Sequence, residues 1–318
     1  MTKKIFITRP LPKEVLSAAG LLGEVTVREN PSAMNESEMI DSLVNYDVVL
    51  PTLGDIYSEK IFASCNKINA KLLANFGVGF NHIDVKVANK YGVKVSNTPG
   101  AVTDATADIA MALMLMCCRR TSEGERIVRA NKWEGWHPTQ MLGFHISNKR
   151  VGIVGMGNIG QAIAKRCHFG FGMQVGYFSR SAKTLSFSVK RYDTLTELAA
   201  SSDILVVSVP GGSATHHLIN KDIFSSMQQH AYFVNIARGD VVNERDLIDA
   251  LKLNQIAGAG LDVYEHEPKV PEDLIAMENV VLLPHLGTAS LEVRTGMGLM
   301  AVQNIKSFIE GNEPPNLV

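Results

Sequence analysis

"VGIVGMGNIG", residues 151–160, carries three glycines in G-x-G-x-x-G spacing. The apolar run at its start reads as a strand, and "NIGQAIAKRC" reads as the helix that follows. In that setting each glycine has a task. Gly155 permits the tight turn, Gly157 lets backbone amides approach a pyrophosphate at the positive helix N-terminus, and Gly160 allows close helix–strand packing. Glycines also gather in plain loops, so the strand, the helix and the βαβ pattern beyond them give the spacing its specificity. The stretch predicts a dinucleotide site in a doubly wound parallel sheet.

Downstream, the candidate strands are "QVGYF", "DILVVSV", "AYFVNIA", "AGAGLDV" and "NVVLLP". Upstream, "KIFIT", "EVTVRE", "DVVLP", "KLLANF" and "VKVSN" alternate with helical segments such as "KEVLSAAGLL" and "ESEMIDSLV". Short Val- and Ile-rich runs between helices argue for βαβ units and parallel sheet. The fold class is therefore α/β with two Rossmann-like domains. "NTPG" (97–100) and Pro284 to Gly287 read as hinges. Residues 1–98 plus 287–318 then form a flavodoxin-like substrate domain, and 99–286 a dinucleotide-binding Rossmann domain inserted into it. The closing stretch, "SLEVRTGMGLMAVQNIKSFIEGN", reads as one long helix ended by Gly311. "VTDATADIAMALMLMCCRR", with Thr103 or Asp104 as its cap, is apolar on nearly every face. This predicts a helix buried all round at a domain or subunit junction, and hence a homodimer.

The 318 residues are 46% hydrophobic and 20% charged with a net charge of −1, which favours neither nucleic acid nor an anionic membrane. No run approaches the roughly 18 apolar residues of a membrane span; "IAMALMLMCC" is the nearest. Cysteines at 65, 117, 118 and 167, without CxxC spacing, suit reduced thiols in the cytoplasm. No spacing resembles a metal site, so none is assigned.

In NAD-specific sites the strand after the glycine motif ends in Asp or Glu, which binds the adenosine ribose. Here, in "GYFSRSAK" (176–183), the strand ends in Ser179, followed by Arg180, Ser181 and then Lys183. A small Ser leaves room for a 2′-phosphate, Arg180 supplies a forked donor and Lys183 a mobile charge. NADP(H) is therefore favoured. NAD(H) stays possible, with Arg180 stacked on adenine or simply solvated.

Ligands of open α/β sheets collect beyond the carboxyl ends of the strands. The residues there are Arg238 after "AYFVNIA", "YEHEP" with Glu265, His266 and Glu267 after "AGAGLDV", and His285 after "NVVLLP". An arginine, a carboxylate and a histidine at neighbouring strand ends suit a reaction on a small anionic carbonyl compound. Spacing does not choose between Glu265 and Glu267.

With "GIVGMGNIGQAIAKR", "VNIARGDVVNERDLIDAL", "AGAGLDVYEHEP" and "LLPHLGTAS", and earlier "NFGVGFNHID" and "NTPGAVTDATAD", the chain resembles the D-isomer-specific 2-hydroxyacid dehydrogenases. Among them it is most similar to NADPH-using glyoxylate/hydroxypyruvate and 2-ketogluconate reductases. The resemblance implies Arg238 as catalytic arginine, Glu267 as catalytic carboxylate and His285 as acid–base histidine, with Val78 and Gly79 binding substrate beside Arg238 and His285. It assigns the cofactor to the motif with Asn158 and Ile159, to Ser179, Arg180 and Ser181, and to Thr106, Val209, Pro210, Thr215, Ile236, Ala237, Asp262 and Gly287, alongside Arg238 and His285. Trp136 stands where some members place a tryptophan that reaches the partner subunit's pocket, although "WHPTQMLGFHI" departs from that pattern.

The implied reaction is hydride reduction of a small 2-oxoacid to a D-2-hydroxyacid. His285 gives the proton, Glu267 favours its imidazolium form, and Arg238 clamps the substrate. The alternatives are the same reaction with NADH preferred, or a redox-sensing NAD(H)-binding module like the co-repressors related to this family. Formate dehydrogenases, also related, carry Gln in place of the glutamate, against which Glu267 argues.

Overall fold

A computed structural model describes residues 2–318, which divide into two compact units, 2–102 with 289–318, and 103–288. The divisions fall a few residues beyond the hinges read from the sequence. Asn97 and Thr98 still belong to the first unit because their N–H groups donate to the carbonyls of Asn316 and Gly77.

The first unit is built on β1 (Lys4–Ile7), β2 (Glu24–Val27), β3 (Val48–Leu50), β4 (Leu72–Ala74) and β5 (Lys94–Ser96), in the order β2-β1-β3-β4-β5. All its pairings are parallel, and the order is flavodoxin-like. β3 and β4 are buried at every position, as central parallel strands covered on both faces must be. Their side chains alternate between two cores. Val48, Leu50 and Leu72 meet Val15, Ala19, Ala301 and Ile305 of the helices Lys13–Gly20 and Leu291–Ile309. Val49 and Leu73 meet Leu43, Phe62 and Ala88 of the helices Glu36–Asn45, Glu59–Ala63 and Val85–Lys90.

The second unit holds β6 (Arg150–Val154), β7 (Gln174–Phe178), β8 (Val189–Arg191), β9 (Ile204–Val207), β10 (Tyr232–Asn235), β11 (Gly258–Leu261) and β12 (Val280–Leu282). Their order is β12-β11-β10-β9-β6-β7-β8, all parallel. Strand order reverses at β6, whose carboxyl end carries the glycine turn. Doubly wound sheets bind ligands at this switch point. On β9, Ile204 and Val206 face the helices Thr103–Cys118 and Asn158–Phe171, while Leu205 and Val207 face the opposite core.

One expectation is corrected. The helix Thr103–Cys118 is not buried all round: Ala105, Ile109, Ala112 and Met116 are half-buried, and Asp104 and Asp108 lie exposed against Arg166. Thr103 is the first helical residue rather than the cap. No helix of the described residues is long and apolar enough to cross a membrane.

Candidate active site

At the end of β6, Gly155 has φ +97°, and a Cβ there would stand 2.8 Å from Val209 Cγ1. A Cβ on Gly160 would stand 2.1 Å from the Gly155 carbonyl oxygen, so the helix can approach the strand only through glycine. Gly157 precedes the helix, and nothing lies within 4 Å of where its Cβ would be. No side chain caps this helix, which leaves the amides around Asn158 and Ile159 for an anion. The cradle fits a nucleotide pyrophosphate.

Past β7, the Ser179 hydroxyl donates to the Ser181 carbonyl at 2.6 Å, and Arg180, Ser181 and Lys183 are exposed. Arg191 of β8 donates to the Ser179 carbonyl at 3.3 Å, a further cation at this loop. Sequence reasoning missed Arg191 because it did not find β8. Past β9, Thr215 Oγ1 donates to the Pro210 carbonyl at 2.7 Å, closing the loop that begins at Val209 and Pro210.

Past β10 come the buried Ile236 and Ala237, then Arg238. Asn235, also missed in the sequence, is buried and shapes this turn. Its Oδ1 accepts from the Ala237 N–H and its Nδ2 donates to the Arg238 carbonyl, each at 3.0 Å. Arg238 Nη1 donates to the Ala237 carbonyl at 2.6 Å, whereas its buried Nε has no partner among the described residues. Burial pulls the pKa of this guanidinium down, against the opposing pull of the Glu267 and Asp240 charges. A desolvated cation without an ion pair is a receptor for an anion.

The two glutamates after β11 separate cleanly. Glu265 Oε1 pairs with His217 Nε2 at 2.7 Å. Glu267 Oε2 pairs with His285 Nδ1 at 2.9 Å, and its Oε1 accepts from the Tyr264 N–H at 3.1 Å. Burial pushes the Glu267 pKa up, but the His285 hydrogen bond and charge, the Tyr264 N–H and Arg238 outweigh it and leave the carboxyl below its ordinary range. His285 has φ +56°, rare for any residue but glycine. Asp262 holds it there, accepting from the N–H groups of Leu286 at 2.6 Å and Gly287 at 2.8 Å, while its carbonyl takes the His285 N–H at 2.9 Å. Burial raises the Asp262 pKa despite those donors. Thr106 Oγ1 donates to the Gly287 carbonyl at 3.1 Å, tying the long apolar helix to the same turn. In the first unit, Val78 and Gly79 lie in the loop after β4.

The edge of the seven-stranded sheet thus offers a pyrophosphate cradle, an imidazole supported by a carboxylate, and an unpaired guanidinium. These are the parts of a nucleotide-dependent oxidoreductase. Comparison with known proteins is specific. The family model for "D-isomer specific 2-hydroxyacid dehydrogenase, NAD binding domain" matches residues 111–287. A glyoxylate reductase of Thermococcus litoralis is 38% identical over 324 residues, covering 100% of this chain and 97% of that protein. The crystal structure of a D-isomer specific 2-hydroxyacid dehydrogenase of Polaromonas superposes with a TM-score of 0.93 at 32% identity, covering 100% of both chains. An NADPH-dependent glyoxylate/hydroxypyruvate reductase of Sinorhizobium meliloti, in complex with NADP and malonate, gives 0.88 at 30% identity, covering 100% of this chain and 97% of that one. The chain belongs to the D-isomer-specific 2-hydroxyacid dehydrogenase family, on its glyoxylate/hydroxypyruvate reductase branch. It is an NAD(P)-dependent oxidoreductase acting on the CH–OH group of donors.

Proposed function

We propose that this enzyme reduces a small 2-oxoacid of the glyoxylate, hydroxypyruvate or 2-ketogluconate type to the D-2-hydroxyacid, with NADPH favoured. The observation that carries the reading is the half-buried Arg238, without an ion pair, beside a His285–Glu267 pair. A bound nicotinamide nucleotide supplies the hydride. As negative charge grows on the substrate's carbonyl oxygen, His285 protonates it through Nε2, because Nδ1 is engaged by Glu267. Glu267 stabilises the imidazolium and fixes the ring. Arg238 orients the substrate with its guanidinium and stabilises the developing oxyanion. Val78 and Gly79 are assigned to the substrate carboxylate.

NADPH is favoured because a hydroxyl, not a carboxylate, stands at Ser179, with the cations Arg180, Lys183 and Arg191 on the same loop or bonded to it. The test is a spectrophotometric screen of glyoxylate, hydroxypyruvate, pyruvate and 2-ketogluconate, each with NADPH and NADH. Turnover of none of them overturns the reductase reading, and faster turnover with NADH overturns the cofactor preference alone.

The half-buried stripe Ala105, Ile109, Ala112, Met116, with the exposed Trp133, Trp136 and Leu142, supports a homodimer. Sedimentation as a monomer at micromolar concentration would refute it. The four free cysteines, three of them buried, suit a reducing cytoplasm.

A further inference from the structure

The loop after β4 has three successive carbonyls drawn back into the first unit. Asn75 is fully buried, and its Nδ2 donates to the carbonyl oxygens of Gly77 and Gly79, each at 3.0 Å. Asn97, just past β5, donates from Nδ2 to the Val78 carbonyl at 2.9 Å. The Gly77 carbonyl takes a second bond from the Thr98 N–H at 3.0 Å. A trans peptide carries its C=O and N–H on opposite sides, and all these bonds are trans. With the carbonyls of 77, 78 and 79 turned inward, the N–H groups of Val78, Gly79 and Phe80 therefore turn outward. None of the three has an acceptor among the described residues, and Val78 is 37% exposed. Successive outward amides on a tight loop are a receptor for an anion.

The orientation of Asn75 is determined by its partners. Carbonyl oxygens only accept, so the atom facing Gly77 and Gly79 is nitrogen. Asn75 Oδ1 then faces His82 Nε2 at 3.0 Å, and that nitrogen carries the hydrogen. Two uncharged side chains, one of them backed by a histidine, thus hold three peptide planes in a single sense.

We propose that Asn75, backed by His82, and Asn97 are positioning residues that aim the amides of Val78, Gly79 and Phe80 at the substrate's carboxylate. The identity of the anion rests on the 2-oxoacid reading above. The anion-binding loop itself does not. An aspartate at 75 or 97 is nearly isosteric but presents only acceptors to carbonyl oxygens, so it drives the peptide planes apart without opening a cavity.

Two measurements test this. In the first, amide resonances are followed while oxalate is titrated into the wild-type enzyme, N75D and N97D. The expected result is a response at residues 78–80 in the wild type that is lost in both variants while the remaining spectrum keeps its dispersion. No oxalate response at residues 78–80 in the wild type, or one that survives in the variants, overturns the proposal. In the second, steady-state reduction of glyoxylate by NADPH should show KM for glyoxylate raised about 10–100-fold in N75D, the worth of a lost hydrogen bond to an anion, with NADPH affinity unchanged. His82→Leu should show a similar rise and His82→Gln, which keeps an N–H donor, should recover most of it. An unmoved KM, or an equal loss of NADPH affinity, counts against positioning. Absence of turnover in a wild-type enzyme whose amides still respond to oxalate would remove the reductase reading and leave the loop's role standing.

Discussion

Replacing Glu267 by Gln keeps the shape of the partner to His285 and removes its charge. The two side chains meet at 2.9 Å and are 31% and 28% exposed. A hydrogen bond to a charged group contributes about 1.5–3 kcal/mol and a neutral one about 0.5–1.5 kcal/mol. Allowing for partial solvent screening, the substitution removes about 1–1.5 kcal/mol of support for the charge the ring carries as proton donor, close to one decade in rate. The carboxylate charge is present throughout any practical assay, because the Glu267 pKa is lowered from its ordinary 4.5 and protonation sets in only below that. Reduction at neutral pH should therefore fall about tenfold in E267Q, with NADPH affinity unchanged. The assay is NADPH consumption at saturating glyoxylate over a series of NADPH concentrations, with a thermal melt to confirm folding. An equal loss of NADPH affinity would mean that the substitution disturbs the pocket rather than the chemistry. No change in either would remove it from the chemistry.

Arg238→Lys should lower kcat/KM for the 2-oxoacid by about a hundredfold, because a point charge on a flexible stem does not reproduce the fork; near-normal turnover in the same NADPH assay would count against the clamp. Ser179→Asp places a carboxylate where a 2′-phosphate is expected, so the ratio of kcat/KM for NADPH over NADH should fall about 10–100-fold. A ratio that does not move would show that residue 179 does not face the ribose. Asp203 is buried and accepts from Arg150 through N–H, Nε and Nη2 and from His230 Nε2. Burial raises its pKa, but those donors outweigh it and hold the carboxyl well below the ordinary 3.8. Its contribution is thus complete above that value and is lost as pH falls through the lowered one. Asp203→Asn should cost about 2 kcal/mol in urea unfolding at neutral pH, with the gap to wild type closing only in strong acid.

Much of the fold was legible because buried parallel strands are written in Val, Ile and Leu. Runs such as "DVVLP" and "DILVVSV" coincide with β3 and β9. β8 was not legible: "VKR" is an edge strand with two exposed positions and one partly buried, so neither alternation nor an apolar run marks it. The helix Thr103–Cys118 misled for a related reason. Its apolar residues surround the axis, yet the small and aliphatic side chains at 105, 109, 112 and 116 remain half-buried within one chain. At the site, Arg238 and His285 could be found from strand ends, since topology delivers those positions to one edge. Glu265 and Glu267 could not be separated, because residues two apart in a turn reach different neighbours only once its backbone is known; one meets His217 and the other His285. Asn75, Asn97 and Asn235 were invisible as supports. Asn75 and Asn97 stand near Gly77 and Pro99 and read as turn chemistry, Asn235 reads as the end of a strand, and nothing local reveals that each amide is buried and bonded to carbonyls.

The left-handed backbone at His285, gripped by Asp262, carries an evolutionary implication. A side chain in that conformation costs about 1 kcal/mol, which glycine would avoid. A lineage that abandoned the reaction would lose its reason to keep an imidazole there, and drift would replace it with a residue that sits at ease. On the proton-donor role proposed for His285, persistence of histidine at this bend in a distant homologue would mark retained proton transfer.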